Sequence, residues 1–191
     1  MNHARAIFLD RDGVINVNRV DNVRAWEQFV FERGVLRALE KVAQTDFRLI
    51  VITNQSGIAR QHMTEATVQQ IHRQMIGEIA RAGGRIDRVY YCPHIAEDEC
   101  TCRKPSPEMV LRGRDEFSLD LAQSYLIGDW VDDIRAARNA GVFPLLVRTG
   151  RGESALAEMR AQQIELPLVV QDLAAAVEWI LEREKMKNVT V

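Results

Sequence analysis

Short apolar runs alternate with amphipathic stretches along almost the whole chain. The runs Ala6–Leu9, Arg48–Thr53, Val89–Cys92, Ser124–Ile127, Pro144–Arg148 and Leu168–Val170 are brief and mostly continuous in hydrophobicity. Each predicts a strand buried on both faces. Between them the spacing of apolar positions is helical, over Gly34–Gln44, Thr64–Ala82, Pro107–Phe117, Val131–Ala140, Ser154–Gln163 and Asp172–Lys187. The end signals agree: Thr64 suits a helix N-cap, Gly83-Gly84 follows that helix, and Gly141 closes the one beginning near Val131. This alternation predicts an α/β fold, a doubly wound, mostly parallel sheet flanked by helices. No repeat or flexible linker interrupts it, and 191 residues fit a single domain spanning 1–191. Pro93–Ser106 fits neither pattern, and the charged tail from Glu182 to Val191 is expected to fray.

The polar residues that end these strands are of distinctive types. The first strand stops at Asp10-Arg11-Asp12-Gly13, the second at Thr53-Asn54-Gln55-Ser56, and the fourth leads into Gly128-Asp129, with Asp132 and Asp133 beyond. Lys104 precedes the helix that leads to the fourth strand. A parallel sheet brings such ends to one edge, where ligands bind in open α/β folds. Carboxylates without a soft ligand nearby suit a hard cation such as Mg²⁺, which commonly shares its shell with a phosphate. A hydroxyl, turn N–H groups and an ammonium are the donors such a phosphate requires. One carboxylate against that phosphate is a nucleophile, and a second two residues away can move the proton. Asp132 reads as a solvated acid of a first helical turn, and Asp133 as a supporting residue.

Composition removes alternatives. Hydrophobic residues are 47% and charged residues 27%, with a net charge of -2. That balance gives no basic track for nucleic acid or an anionic membrane. No apolar run approaches the roughly 18 residues of a membrane span. The first apolar run ends in two aspartates, unlike a signal peptide, so a cytosolic location is the expectation. Nothing demands a dimer, and a monomer is expected.

All three cysteines, Cys92, Cys100 and Cys102, lie within eleven residues, and His94 stands among them. An odd, crowded set is a poor disulfide framework. Three thiolates and an imidazole in an irregular loop fit a closed Cys₃His zinc site, and Glu97, Asp98 and Glu99 make the loop too polar for a core. With four protein ligands, such a zinc is structural. It would fix where the following Arg103 and Lys104 point. His3, His62 and His72 join no constellation and read as surface residues.

Asp10-Arg11-Asp12-Gly13-Val14, Thr53, Lys104 and Gly128-Asp129 together resemble the four ordered motifs of the haloacid dehalogenase (HAD) superfamily of phosphatases, over roughly Ala6 to Thr149. The resemblance implies a HAD-like Rossmannoid domain with Asp10 as a nucleophile forming an aspartyl-phosphate and Asp12 as general acid, then base. It implies Mg²⁺ on the carboxylates of Asp10 and Asp129 and the backbone carbonyl of Asp12, with Thr53 and Lys104 steadying the phosphoryl group. The segments between motifs leave no room for an independent cap, so an open site is expected.

AIFLDRDGVINV, VITNQSGIAR, YYCPH and CTCRKP further resemble the heptose 1,7-bisphosphate 7-phosphatase family and its sister, the histidinol-phosphate phosphatases. TNQSGIAR and the arginine beside Lys104 favour the heptose branch and a sugar-phosphate substrate. The resemblance implies substrate contacts from Arg19, Thr53, Asn54, Gln55, Ser56, Arg103 and Lys104. The sequence departs from the heptose family at Trp130, where that family usually carries Lys, and after Asn16, where its Gly-Tyr-Val is missing. A histidinol phosphatase and a non-catalytic zinc-stabilised binding domain are the alternative readings.

Overall fold

The structure, a computed structural model, describes residues 4–189. All six apolar runs are strands: β1 (Ala6–Leu9), β2 (Arg48–Asn54), β3 (Arg88–Cys92), β4 (Tyr125–Gly128), β5 (Phe143–Val147) and β6 (Leu168–Val170). The helices are α1 (Val35–Ala43), α2 (Glu65–Arg81), α3 (Glu108–Phe117), α4 (Val131–Ala140), α5 (Gly152–Ala161) and α6 (Leu173–Val189). Expected and observed strand ends differ by one residue at most, as strand ends commonly do. Thr64 caps α2 by accepting from the Thr67 amide at 3.1 Å, and Gly141 closes α4 with φ at 73°.

The strands form one wholly parallel sheet in the order β3-β2-β1-β4-β5-β6. The chain winds from β1 outward through β2 and β3, then returns to β4 on the other side of β1. The order therefore reverses between β1 and β4, the place where such sheets open a crevice at their C-terminal edge. Side chains alternate across β1, so Ile7 and Leu9 face α1, α2 and α6, while Ala6 and Phe8 face α3 and α4. α3 lies so close that a Cβ on its Gly113 would meet Phe8 at 3.0 Å. A smaller apolar cluster joins α4, β5 and α5 through Ile134, Leu146, Leu156 and Met159.

No part of the described chain forms a separate cap. Between β1 and α1 there is a loop with a one-turn helix at Trp26–Gln28, held by Trp26 stacked on Phe29 (4.9 Å) and Phe29 edge-on to Phe31 (5.1 Å). Among the described residues no helix is long and apolar enough to cross a membrane. The expected fraying from Glu182 is corrected as far as Val189, where α6 ends; the last two residues of that tail lie outside the described residues. Its Glu184 is buried, accepting from Tyr125 (2.5 Å) and pairing with Arg5 and Lys187, and these contacts hold the charged end on the sheet. His3 lies outside the described residues.

Candidate active site

Four loops at the C-terminal edge of the sheet converge on one cavity of about 420 Å³, lined by Asp10, Asp12, Thr53, Lys104, Asp133 and Arg151 among others. Its size is ordinary for a small-ligand site. Asp10 follows β1, and its amide donates to the Ile127 carbonyl of β4 at 2.9 Å, so the central register fixes it. Asp129 follows β4. One carboxylate oxygen of Asp10, Asp129 and Asp133 apiece lies within a shared 4.8 Å.

The loops around Asp129 approach too closely for side chains. A Cβ on Gly13 or Gly150 would fall 2.1 or 2.2 Å from Asp129 Oδ2, and both glycines have positive φ, 88° and 59°. Thr149 locks the two loops by donating to the Gly13 carbonyl at 2.7 Å, and the Arg151 amide donates to Asp129 Oδ2 at 2.8 Å. The other oxygen, Asp129 Oδ1, is buried with no hydrogen-bond partner.

Lys104 is 3% exposed and its ammonium reaches Asp10 Oδ1 (2.7 Å), Asp133 Oδ1 (2.6 Å) and the Ile52 carbonyl (3.0 Å). Burial pulls its pKa down, but the two carboxylates more than reverse this and raise it, so Lys104 is a fixed cation. Even so, one ammonium does not balance three acids. Burial, opposed by Lys104 and abetted by Asp133 and Asp12, pushes Asp10 up to about 6. Burial and the charges of Asp10 and Asp133 push Asp129 up to about 8. Crowded oxygen donors, raised carboxyl pKa values and an orphaned buried oxygen fit a hard divalent cation.

Asp12 has a different environment. Arg11 Nη2 donates to both of its oxygens (3.0 and 2.9 Å), Asn16 Nδ2 to Oδ1 (2.9 Å) and Gln55 Nε2 to Oδ2 (3.0 Å). Burial would raise its pKa; Arg11, Asn16 and Gln55 outweigh that and lower it. Its side chain stands apart from the three clustered acids, leaving the backbone carbonyl as the group the family resemblance assigns to metal.

The remaining site residues divide between the cavity wall and its support. Thr53, Asn54, Ser56, Arg19 and Arg103 line the cavity. Asn54 also makes a reciprocal pair with the Lys104 backbone, 3.1 Å each way. Gln55 is buried behind the wall, bridging Asp12 and Thr53 Oγ1 (2.9 Å). Asp133 bears out a supporting role, holding Lys104 and accepting from the Trp130 amide at 3.0 Å. Asp132 corrects its reading as a solvated acid: it is half-buried and lines the cavity. Burial first and Asp133 second raise its pKa.

Two residues escaped the sequence reading. His72 corrects its reading as a surface residue: it is 5% exposed, with Nε2 3.2 Å from Arg11 Nη1, while His62 is exposed. Arg151 stacks on Trp130, its guanidinium carbon 4.1 Å from the ring centroid, and both line the cavity. A cation therefore stands beside the position where Trp130 removes one. Its signal in the sequence was TGRG directly after an apolar strand.

The loop before Lys104 gathers Cys92, His94, Cys100 and Cys102. Their ligand atoms are 3.0–3.7 Å apart where they touch, and the cysteines are free. A tetrahedral zinc with Zn–S near 2.3 Å spaces its ligands by about 3.5–3.8 Å. Arg103 Nη1 donates to the His94 carbonyl at 3.0 Å, which ties the cavity wall to this cluster.

Comparison with known proteins gives a consistent neighbourhood. Residues 101–176 match the HAD-hydrolase-like family model. The D-glycero-beta-D-manno-heptose-1,7-bisphosphate 7-phosphatase of Bordetella bronchiseptica is 38% identical over 93% of this chain and 98% of its own. The protein of that name from Escherichia coli K12 is 41% identical over 83% and 87%. The crystal structure of the B. bronchiseptica D,D-heptose 1,7-bisphosphate phosphatase, complexed with magnesium and phosphate, superposes with a TM-score of 0.87, covering 94% of this chain and 99% of that one.

Proposed function

The chain belongs to the D-glycero-beta-D-manno-heptose-1,7-bisphosphate 7-phosphatase family of HAD-like hydrolases, and from that premise we propose that it hydrolyses the 7-phosphate of this sugar bisphosphate, with Mg²⁺ as cofactor. The observation that carries the reading is the convergence of Asp10, Asp129, Asp133 and Lys104 on one cavity, with Asp12 clamped at its edge.

Asp10 is the nucleophile. Lys104 holds Asp10 Oδ1, which orients the carboxylate. An Asp10 oxygen bonds to phosphorus as the bond from phosphorus to the sugar oxygen breaks; Asp12, which takes up a proton as the anionic phosphate settles beside it, gives that proton to the departing oxygen. Water then attacks the aspartyl-phosphate, Asp12 takes its proton, and phosphate leaves with Asp10 restored. Lys104 and the Thr53 hydroxyl offset the negative charge of the transferring group. Asp10 and Asp129 would hold Mg²⁺ with the Asp12 carbonyl, and Asp133 stands close enough to join the shell. When bound, the ion neutralises the crowded acids and phosphate oxygens, which is the largest electrostatic contribution expected in phosphoryl transfer.

Arg19, Asn54, Ser56, Arg103 and Arg151 are the residues of the wall suited to the sugar and its second phosphate. Gln55 contributes from behind by holding Asp12. We further read Cys92, His94, Cys100 and Cys102 as a structural zinc site, and the whole chain as one monomeric, cytosolic phosphatase domain. The reduced, clustered cysteines support both the zinc and the compartment.

The test is phosphate release from heptose 1,7-bisphosphate in both anomers alongside histidinol phosphate. The reading expects kcat/KM to favour the bisphosphate, with the 1-phosphate left on the product. Faster turnover of histidinol phosphate would overturn it. Metal analysis of protein purified without chelator tests the zinc: about one Zn per chain is expected, and fewer than about half of one would count against the site.

A further inference from the structure

Arg11 lies between the two acids of the first motif, yet its side chain turns away from the cavity and is fully buried. A buried guanidinium is costly, and its one carboxylate partner, Asp12, is itself 24% exposed at the side chain. An aliphatic residue would fill the space at less cost. We infer that Arg11 and His72 form a positioning pair that fixes the plane and direction of the Asp12 carboxylate for proton transfer to and from the reacting oxygens. This rests on the role proposed for Asp12 above.

The geometry fixes the guanidinium at both ends. Nη2 donates to both Asp12 oxygens, while Nη1 points at His72 Nε2, 3.2 Å away. A guanidinium has donors only, so the hydrogen bond requires Nε2 of a neutral His72 to accept, with the ring proton on Nδ1. Burial and the Arg11 charge act the same way, pulling the His72 pKa to about 3. The ring is held by Tyr91, centroid to centroid 5.6 Å. Tyr91 in turn donates to Glu65 at 2.6 Å and accepts from Gln69 at 3.1 Å, both on α2. Helix α2 thus sets the imidazole, the imidazole sets the guanidinium, and the guanidinium sets Asp12. Asn16 and Gln55 each touch one oxygen of Asp12, whereas Arg11 Nη2 alone reaches both and so sets the direction in which the carboxylate points.

In the first step, misalignment of Asp12 matters only where the departing oxygen needs a proton. A sugar alkoxide is a poor leaving group and leaves as Asp12 gives it a proton; p-nitrophenolate leaves as the anion. Leaving-group dependence therefore separates this role from a general loss of structure. The experiment measures the single-turnover rate of leaving-group release, which isolates the first step, for wild type, His72→Phe, His72→Gln and Arg11→Lys. With heptose 1,7-bisphosphate, His72→Phe is expected to lose about 10- to 100-fold, part of the 10²–10⁴ that a placed acid supplies. With p-nitrophenyl phosphate it should lose less than about threefold on the same scale. His72→Gln, which keeps an acceptor, should recover most of the rate. Arg11→Lys keeps the charge without the planar group that reaches Asp12 and His72 together, should repeat the Phe pattern, and decides the matter if His72→Phe does not fold. Equal losses on both substrates, or no loss on either, overturn the pairing. Wild-type turnover is measured first: if it spares the heptose bisphosphate but cleaves another alkyl phosphate, the substrate reading fails. The same comparison on that alkyl phosphate still tests Arg11 and His72. No turnover of any monoester overturns both.

Discussion

Two clusters of ligand-type side chains stand at neighbouring ends of the sheet, and they are built on opposite plans. At the β1–β4 edge, three buried carboxylates share 4.8 Å with one ammonium between them, and a buried oxygen of Asp129 has no partner. In the loop after β3, three thiols and an imidazole face one another with contacts of 3.0–3.7 Å. The first cluster is electrostatically incomplete by itself and invites charge that comes and goes. The second offers four soft protein ligands, a full set for the zinc proposed above, which would leave no position for chemistry. Lys104, two residues past Cys102, links the two: the loop leads into it, and the acids hold its charge.

Three experiments break or sharpen this contrast, and a fourth serves as a control outside it. Asp10→Asn is expected to lower kcat by about 10⁴-fold or more, as loss of a nucleophile does, while zinc content stays unchanged. Wild-type rates in that variant would remove Asp10 from its role. Lys104→Met should lower kcat/KM by about 10²–10³-fold, the scale of one preorganised electrostatic contact, and weaken phosphate inhibition. Cys100→Ser should abolish stoichiometric zinc, lower the melting temperature and cost about tenfold in kcat/KM, yet leave activation by Mg²⁺ intact. If that variant kept full activity without zinc, the loop would not be what aims Arg103 and Lys104. The smallest effect is on stability and concerns neither cluster. His72 titrates near 3 when folded and near 6.5 when unfolded, so between those values the unfolded chain binds the extra proton. Its contribution is full above about pH 6.5 and is lost as pH falls towards about 3. The difference in melting temperature between wild type and His72→Phe should therefore narrow from pH 7 to pH 5.

The parts of the molecule that sequence reading reached are those where an apolar strand stops at a residue of unusual chemistry. Asp10, Thr53 and Asp129 belong to this group, and the strands themselves were legible to within a residue because both faces of the sheet are covered. The four zinc-type ligands were legible because they lie within eleven residues. His72 was not, since its burial depends on Arg11, which lies 61 positions away and whose own burial leaves no mark in a periodicity count. On α2, His72 simply follows Ile71 at the rim of the apolar stripe formed by Val68, Met75 and Ile79. Arg151 was missed for a similar reason. Its meaning comes from Trp130, a contact across two loops. Asp132 looked like one more acid of a first helical turn, and only the loop carrying Arg103 reveals that it faces a cavity.

The position of β1 has a consequence for how the molecule is made. It is the first strand synthesised and lies in the middle of the sheet, between β2 and β4. Its second neighbour, Tyr125–Gly128, emerges from the ribosome more than a hundred residues later. Until then the β1 edge from which the Asp10 amide donates is unpaired, and Asp129 does not yet exist beside it. The nascent chain therefore carries its nucleophile early but acquires a reactive site late, when the central pairing closes at high sequence separation. A truncated chain ending before Tyr125 would expose an apolar strand edge and would have no capacity to gather the acids around a cation.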